Sequence, residues 1–68
     1  MERRVQDKLM QMTVDNAAEV RGAAANAFGE AGIRTRDIID KLLQMTVDNS
    51  ALVRAEAAKA LGRLSKNQ

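Results

Sequence analysis

The chain contains no cysteine, no histidine and no proline, and Phe28 is its only aromatic residue. Without cysteine, disulfides are excluded. Without cysteine and histidine together, the usual sulfur and nitrogen ligands of zinc are missing, as are the commonest general base and the strongest nucleophile. Without proline, nothing interrupts a helix from within. The lone aromatic removes the stacking platforms that hold single-stranded nucleic acid. No apolar run approaches the length of a membrane span. Met1-Glu2-Arg3-Arg4 leads into Val5-Gln6-Asp7-Lys8 rather than into an apolar signal segment. A cytoplasmic protein is the expectation.

Charge is nearly balanced. The net value is +2; residues 1–34 carry five basic and five acidic side chains, and residues 35–68 carry six and four. That excess is too weak to mark a polyanion binder. At 68 residues there is room for one small domain, residues 1–68. Small domains bury a modest share of their surface, and with disulfides and zinc gone, association is the remaining external source of stability.

What the chain does have is a duplication. The hexapeptide QMTVDN occurs at Gln11–Asn16 and again at Gln44–Asn49, an offset of 33 residues (44 − 11). At that offset residues 2–35 align with 35–68, and 17 of the 34 pairs are identical. One unit spans about residues 2–34 and the other about 35–68. A period of this size marks stacked supersecondary units.

Each unit reads as two helices. In the first helix, Val5, Leu9 and Met12 recur at helical spacing, as do Ile38 (or Ile39), Leu42 and Met45 in the second unit. These helices are expected over about 2–13 and 36–46, the latter with Thr35 as N-cap and Asp37 near its positive end. Val14-Asp15-Asn16 and Val47-Asp48-Asn49 break the pattern and form tight turns. Asn16 and Glu19 can make a capping-box-like pair, which Leu52 removes from the second unit. The second helices are expected over about 17–30 and 50–64. Val20, Ala24, Ala27, Phe28 and Ala31 form one apolar face, and Val53, Ala57, Ala60, Leu61 and Leu64 form the other. Gly32 is a natural C-cap. Gly29 and Gly62 each cost about 1 kcal/mol relative to Ala inside a helix, and their recurrence points to close helix–helix approach. The fold class is all-α: two helical hairpins, four helices, stacked as a short α-solenoid.

Tetratricopeptide units of similar length rely on Trp, Tyr and Pro, and ankyrin units open with Thr-Pro-Leu-His, none of it present here. Asp15, Val20-Arg21, Ala24-Ala25 and Ala27-Phe28-Gly29 recur as Asp48, Val53-Arg54, Ala57-Ala58 and Ala60-Leu61-Gly62. In this the chain resembles HEAT repeats, particularly the short HEAT-like repeats of phycobilisome-lyase-like proteins. The resemblance covers both units, although the period is short for the family. It implies a structural ladder in which the turn aspartate of one unit meets the arginine of its neighbour. Asp15 and Arg21 are six positions apart, as are Asp48 and Arg54, which is wrong for a same-face pair on one helix. The implied pair is Asp48 with Arg21, leaving Asp15 and Arg54 at opposite ends.

The differences between units carry the functional expectation. In the second helices they include Glu19/Leu52, Gly22/Ala55, Ala23/Glu56, Asn26/Lys59 and Glu30/Arg63. Steps of three and four place them on one stripe. Drift of exposed positions is one reading. The other is a partner-binding face made of Glu19, Ala23, Asn26, Glu30, Leu52, Glu56, Lys59 and Arg63, because the resemblance puts second helices on the inner surface of the solenoid. Its mixed charge suits a protein or peptide better than a polyanion.

No catalytic, cofactor or metal site is expected. Asp7, Asp40, Glu30 and Glu56 read as solvated helix-surface charges, and Gly29 and Gly32 lack the Lys-Ser/Thr of a phosphate loop. Nucleic-acid binding through Arg3, Arg4, Arg34, Arg36 and Lys66 is the runner-up, opposed by interleaved acids. Two repeats fall below the number normally needed for independent stability, and neither end carries a polar cap. A homo-oligomer is therefore expected, a dimer or a domain swap. A fragment or engineered piece of a longer HEAT-like solenoid, related to lyase-like proteins, is equally compatible with the duplication.

Overall fold

The computed structural model describes residues 1–66. They form α1 (Arg3–Met12), α2 (Ala18–Ala31), α3 (Arg36–Met45) and α4 (Ala51–Ser65). Each bound lies within one residue of expectation, the ordinary margin at helix ends. There is no strand among the described residues. α1 packs on α2, α3 packs on α4, and the largest contact joins α2 to α4. Cα extents are 29 × 26 × 16 Å, and the shortest matches two helix layers. The architecture is two helical hairpins stacked side by side.

The two connecting turns are copies in their hydrogen bonds. Thr13 Oγ1 donates to Met10 O at 2.6 Å, and Thr46 Oγ1 donates to Leu43 O at 2.6 Å. Backbone N–H groups of Val14 and Asp15, like those of Val47 and Asp48, then tighten the helix end with i→i−3 bonds at 3.2 Å. Asp15 Oδ1 accepts from Ala17 N at 2.8 Å, and Asp48 Oδ1 accepts from Ser50 N at 2.8 Å. Each aspartate thus turns the chain with its own side chain.

Two capping expectations need correction. The N-cap of α2 is Ala17, with no side-chain cap, so Asn16 and Glu19 do not form a box. The Asp15 turn has already taken the Ala17 N–H and set the entry angle one residue later. Thr35 does occupy the N-cap of α3, but its hydroxyl donates to Asp37 Oδ1 at 2.6 Å instead of accepting from the backbone. Asp37 Oδ1 in turn accepts from Ile38 N at 3.0 Å. The Thr35 hydroxyl, followed by this backbone bond, holds the Asp37 carboxyl below its ordinary pKa. Gly32 does close α2, at φ 70° and ψ 26°, a left-handed conformation that favours glycine.

The core gathers Phe28, Ile38, Leu42, Val53, Ala57 and Ala60, all at zero exposure, with Ala25, Met45 and Leu64. Fully burying a Phe, Ile, Leu or Val contributes about 1.5–3 kcal/mol each. The choice left open between Ile38 and Ile39 falls to Ile38, since Ile39 is only half-buried. Ala31 is exposed and adds nothing to the face assigned to it. Burial is lopsided: α3 contributes three buried residues and α1 none. Ile38 is fully buried, whereas its counterpart Val5 is 50% exposed.

The glycines diverge as well. A Cβ on Gly29 would lie 2.8 Å from Ala60 Cα, so α2 and α4 touch there backbone to backbone. A Cβ on Gly62 would meet nothing within 4 Å among the described residues. Of these two, only Gly29 makes a close approach among the described residues.

Candidate partner-binding groove

Helix α2 presents Glu19, Ala23, Asn26 and Glu30 at steps of four, three and four. Helix α4 presents Leu52, Glu56, Lys59 and Arg63 at the same steps. A Cβ on Gly22 would lie 3.3 Å from Glu56 Cγ, the Gly29 position meets Ala60, and Arg63 reaches Glu30. Contacts therefore advance in the same direction along both helices, which run parallel. Parallel packing turns the two stripes toward one shallow groove of about 380 Å³. Glu19, Ala23, Asn26, Leu52, Glu56, Lys59 and Arg63 line it, together with Gly22. Glu30 is not among the lining residues; it joins the groove through Arg63.

The groove is polar and partly self-neutralised. Arg63 Nη1 donates to Asn26 Oδ1 at 2.8 Å and stands 3.5 Å from Glu30 Oε1. Lys59 Nζ stands 3.6 Å from Glu56 Oε2. Glu19 has no ion pair among the described residues, and Leu52 is 46% exposed. One end thus offers an open carboxylate beside an apolar side chain, and the other offers cations held by surface acids. Exposed pairs of this kind are weak and exchange readily for another partner. Gly22, a differing position not placed in the binding set, forms part of the wall. The substitution of Gly by Ala55 in the other unit was the available signal.

The turn residues form a separate cluster. Arg21 Nε donates to Asp48 Oδ2 at 3.0 Å, and Nη2 donates to Asp48 Oδ1 at 3.1 Å. Its Nη1 donates to Asp15 O at 2.8 Å and Asn16 O at 3.0 Å. The guanidinium joins its own turn to the next one, with both side chains of the ion pair only 15–17% exposed. A fork meeting a carboxylate this way is among the stronger hydrogen-bond geometries. The Arg21 bond, then the Ser50 N–H, holds the Asp48 carboxyl below its ordinary pKa. Arg54 Nη1 donates to Asp48 O at 2.7 Å, repeating the Arg21 grip on its own turn. Asp15 and Arg54 do not meet each other. The carbonyl bonds were invisible to sequence reasoning, since every residue offers a carbonyl.

The basic residues considered for nucleic acid have local partners in part. Arg3 pairs with Asp7 at 3.3 Å, Arg4 with Glu2, and Arg34 Nη1 donates to Leu64 O at 3.2 Å. The Arg4 bonds lower the Glu2 pKa. Among the described residues no group of three acidic side chains gathers as a metal site, and no helix is long and apolar enough to cross a membrane. A second hollow, of about 340 Å³, opens on α1 between Val5 and Leu9, rimmed by Glu2, Arg4 and Lys8.

No curated protein and no solved structure matches the chain. The family model for HEAT repeats matches residues 6–68, nearly the whole length and both hairpins. With two stacked hairpins, copied turns and the match over both units, the chain belongs to the HEAT repeat family.

Proposed function

We propose that this chain is a non-catalytic protein-binding module that self-associates and presents the groove between α2 and α4 to a segment of a protein partner. HEAT repeats generally mediate protein–protein interaction or scaffolding. The observation that carries the reading is a coincidence of two independent properties. Every residue that lines the groove occupies a position that differs between the two otherwise duplicated helices. The framework is copied and the concave face is individual. A segment with a basic or apolar group at the Glu19–Leu52 end and an acidic group at the Lys59–Arg63 end fits its charge.

The double variant Lys59→Ala with Arg63→Ala tests the groove. Used as bait beside the unaltered protein, it should lose partners while its helix content by circular dichroism is unchanged. Identical partner lists would defeat the groove as the binding face.

Self-association has its own support in the apolar side chains left open at the N-terminal hairpin, Val5 among them. A solenoid end without a polar face favours a covering partner. Sedimentation at high micromolar concentration should give more than the mass of one chain.

A further inference from the structure

The two open ends of the stack match each other. Adding 33 to a residue on the α2 side of the internal joint gives its counterpart on the free face of α4. Subtracting 33 from a residue on the α3–α4 side gives its counterpart on the free face of the first hairpin. We propose that self-association is head-to-tail: the free α4 face of one copy docks on the α1–α2 face of a second, repeating the joint already made inside the chain. This rests on the self-association reading above.

The charged halves of the new joint are already set. Asp48 Oδ1 accepts from Ser50 N and its Oδ2 accepts from Arg21. Asp15 Oδ1 accepts from Ala17 N, and its Oδ2 has no partner among the described residues. Arg21 holds its own turn through Nη1 and uses Nε and Nη2 for Asp48. Arg54 holds its own turn through Nη1, and its Nε and Nη2 have no acceptor among the described residues. Arg54 of one copy and Asp15 of the second therefore reproduce the Arg21–Asp48 fork.

The packing translates too. Gly29 against Ala60 becomes Gly62 against Ala27, and the space at Gly62 is open among the described residues. Gly22, whose Cβ would crowd Glu56 Cγ at 3.3 Å, becomes Ala55. Its opposite becomes Ala23, which has no Cγ, so the added methyl is offset by a shorter neighbour. Glu30 with Arg63 becomes Arg63 with Glu30, and Asn26 with Arg63 becomes Lys59 with Glu30; the new charges are opposite at both places. Apolar area follows the same rule. Ala25, Phe28 and Ile38 have no exposure, while their counterparts Ala58 and Val5 are exposed and Leu61 is half-buried. Covering them is the hydrophobic gain of the joint.

Such a contact is heterologous: each added copy leaves the same two faces open, so growth continues unless the rotation closes a ring. The unaltered protein should sediment with a mass that rises with concentration beyond one chain. Gly62→Ala places a methyl where the described residues of the single chain leave space and the joint is tight. It should leave the dilute melting temperature unchanged or higher, yet weaken self-association about tenfold or more. Asp15→Arg and Arg54→Asp should each block association alone, and an equimolar mixture of the two should restore it. A mass of one chain throughout would overturn self-association and the head-to-tail joint together. Association that ignores Gly62→Ala and both charge reversals would overturn the joint and leave self-association standing.

Discussion

Arg21 uses both sides of its guanidinium, one on its own turn and one on the next. Arg54 has the first contact without the second. Arg21→Ala should therefore lower the melting temperature of the dilute protein by roughly 5 °C or more, and Arg54→Ala by clearly less. Equal losses in a differential scan would mean that the bond to Asp48 adds nothing. Asp48 also links stability to pH. Its folded pKa lies below the ordinary value, so its contribution is complete above the unfolded aspartate pKa of about 3.9 and is lost as pH falls through the lowered folded value. Between about pH 5 and pH 2 the melting temperature of the unaltered protein should drop more steeply than that of Asp48→Asn. Parallel slopes would contradict this. At this scale the sequence was informative about spacing and silent about the backbone. An offset of six from Asp15 to Arg21 ruled out a pair on one helix face, but the carbonyls that Arg21 holds belong to no residue type. Likewise Thr35 looked like a cap, and only the neighbouring Asp37 carboxylate, a better acceptor for its hydroxyl, diverted it.

Helices α2 and α4 meet where Gly29 lies on Ala60. By helix propensity alone, Gly29→Ala would gain up to about 1 kcal/mol. The added Cβ would lie 2.8 Å from a backbone atom that cannot swing aside, and overpacking of this kind costs about 1–3 kcal/mol. Net destabilisation in a denaturant titration is the expected outcome; a rise in midpoint would show that the two helices can part freely. Helix number, type and bounds were legible because the 33-residue offset shows each hairpin twice. The different fates of Gly29 and Gly62 were not, because the same residue at equivalent positions of two helices differs only in which helix packs against it. The groove was legible through contrast: positions that refuse to repeat stand out against a copied background. Its Gly22 wall was readable only once α4 was known to lie alongside.

Across the whole molecule, burial is graded from one end to the other. α3 shares a core with α2 and α4, whereas α1 rests on α2 with none of its residues buried. Segments with few buried contacts open first. Amide exchange in dilute protein should therefore be faster in α1 than in α3, and α1 should gain protection as concentration rises. Uniform protection at all concentrations would speak against both the gradient and a covering partner. At Gly29 on Ala60 the two hairpins approach so closely that no room is left for a Cβ on the glycine. The spacing between units is then set there by main chain and a single methyl, and not by a large side chain. Substitution along the groove can change what is displayed while the pitch at which it is displayed stays constant.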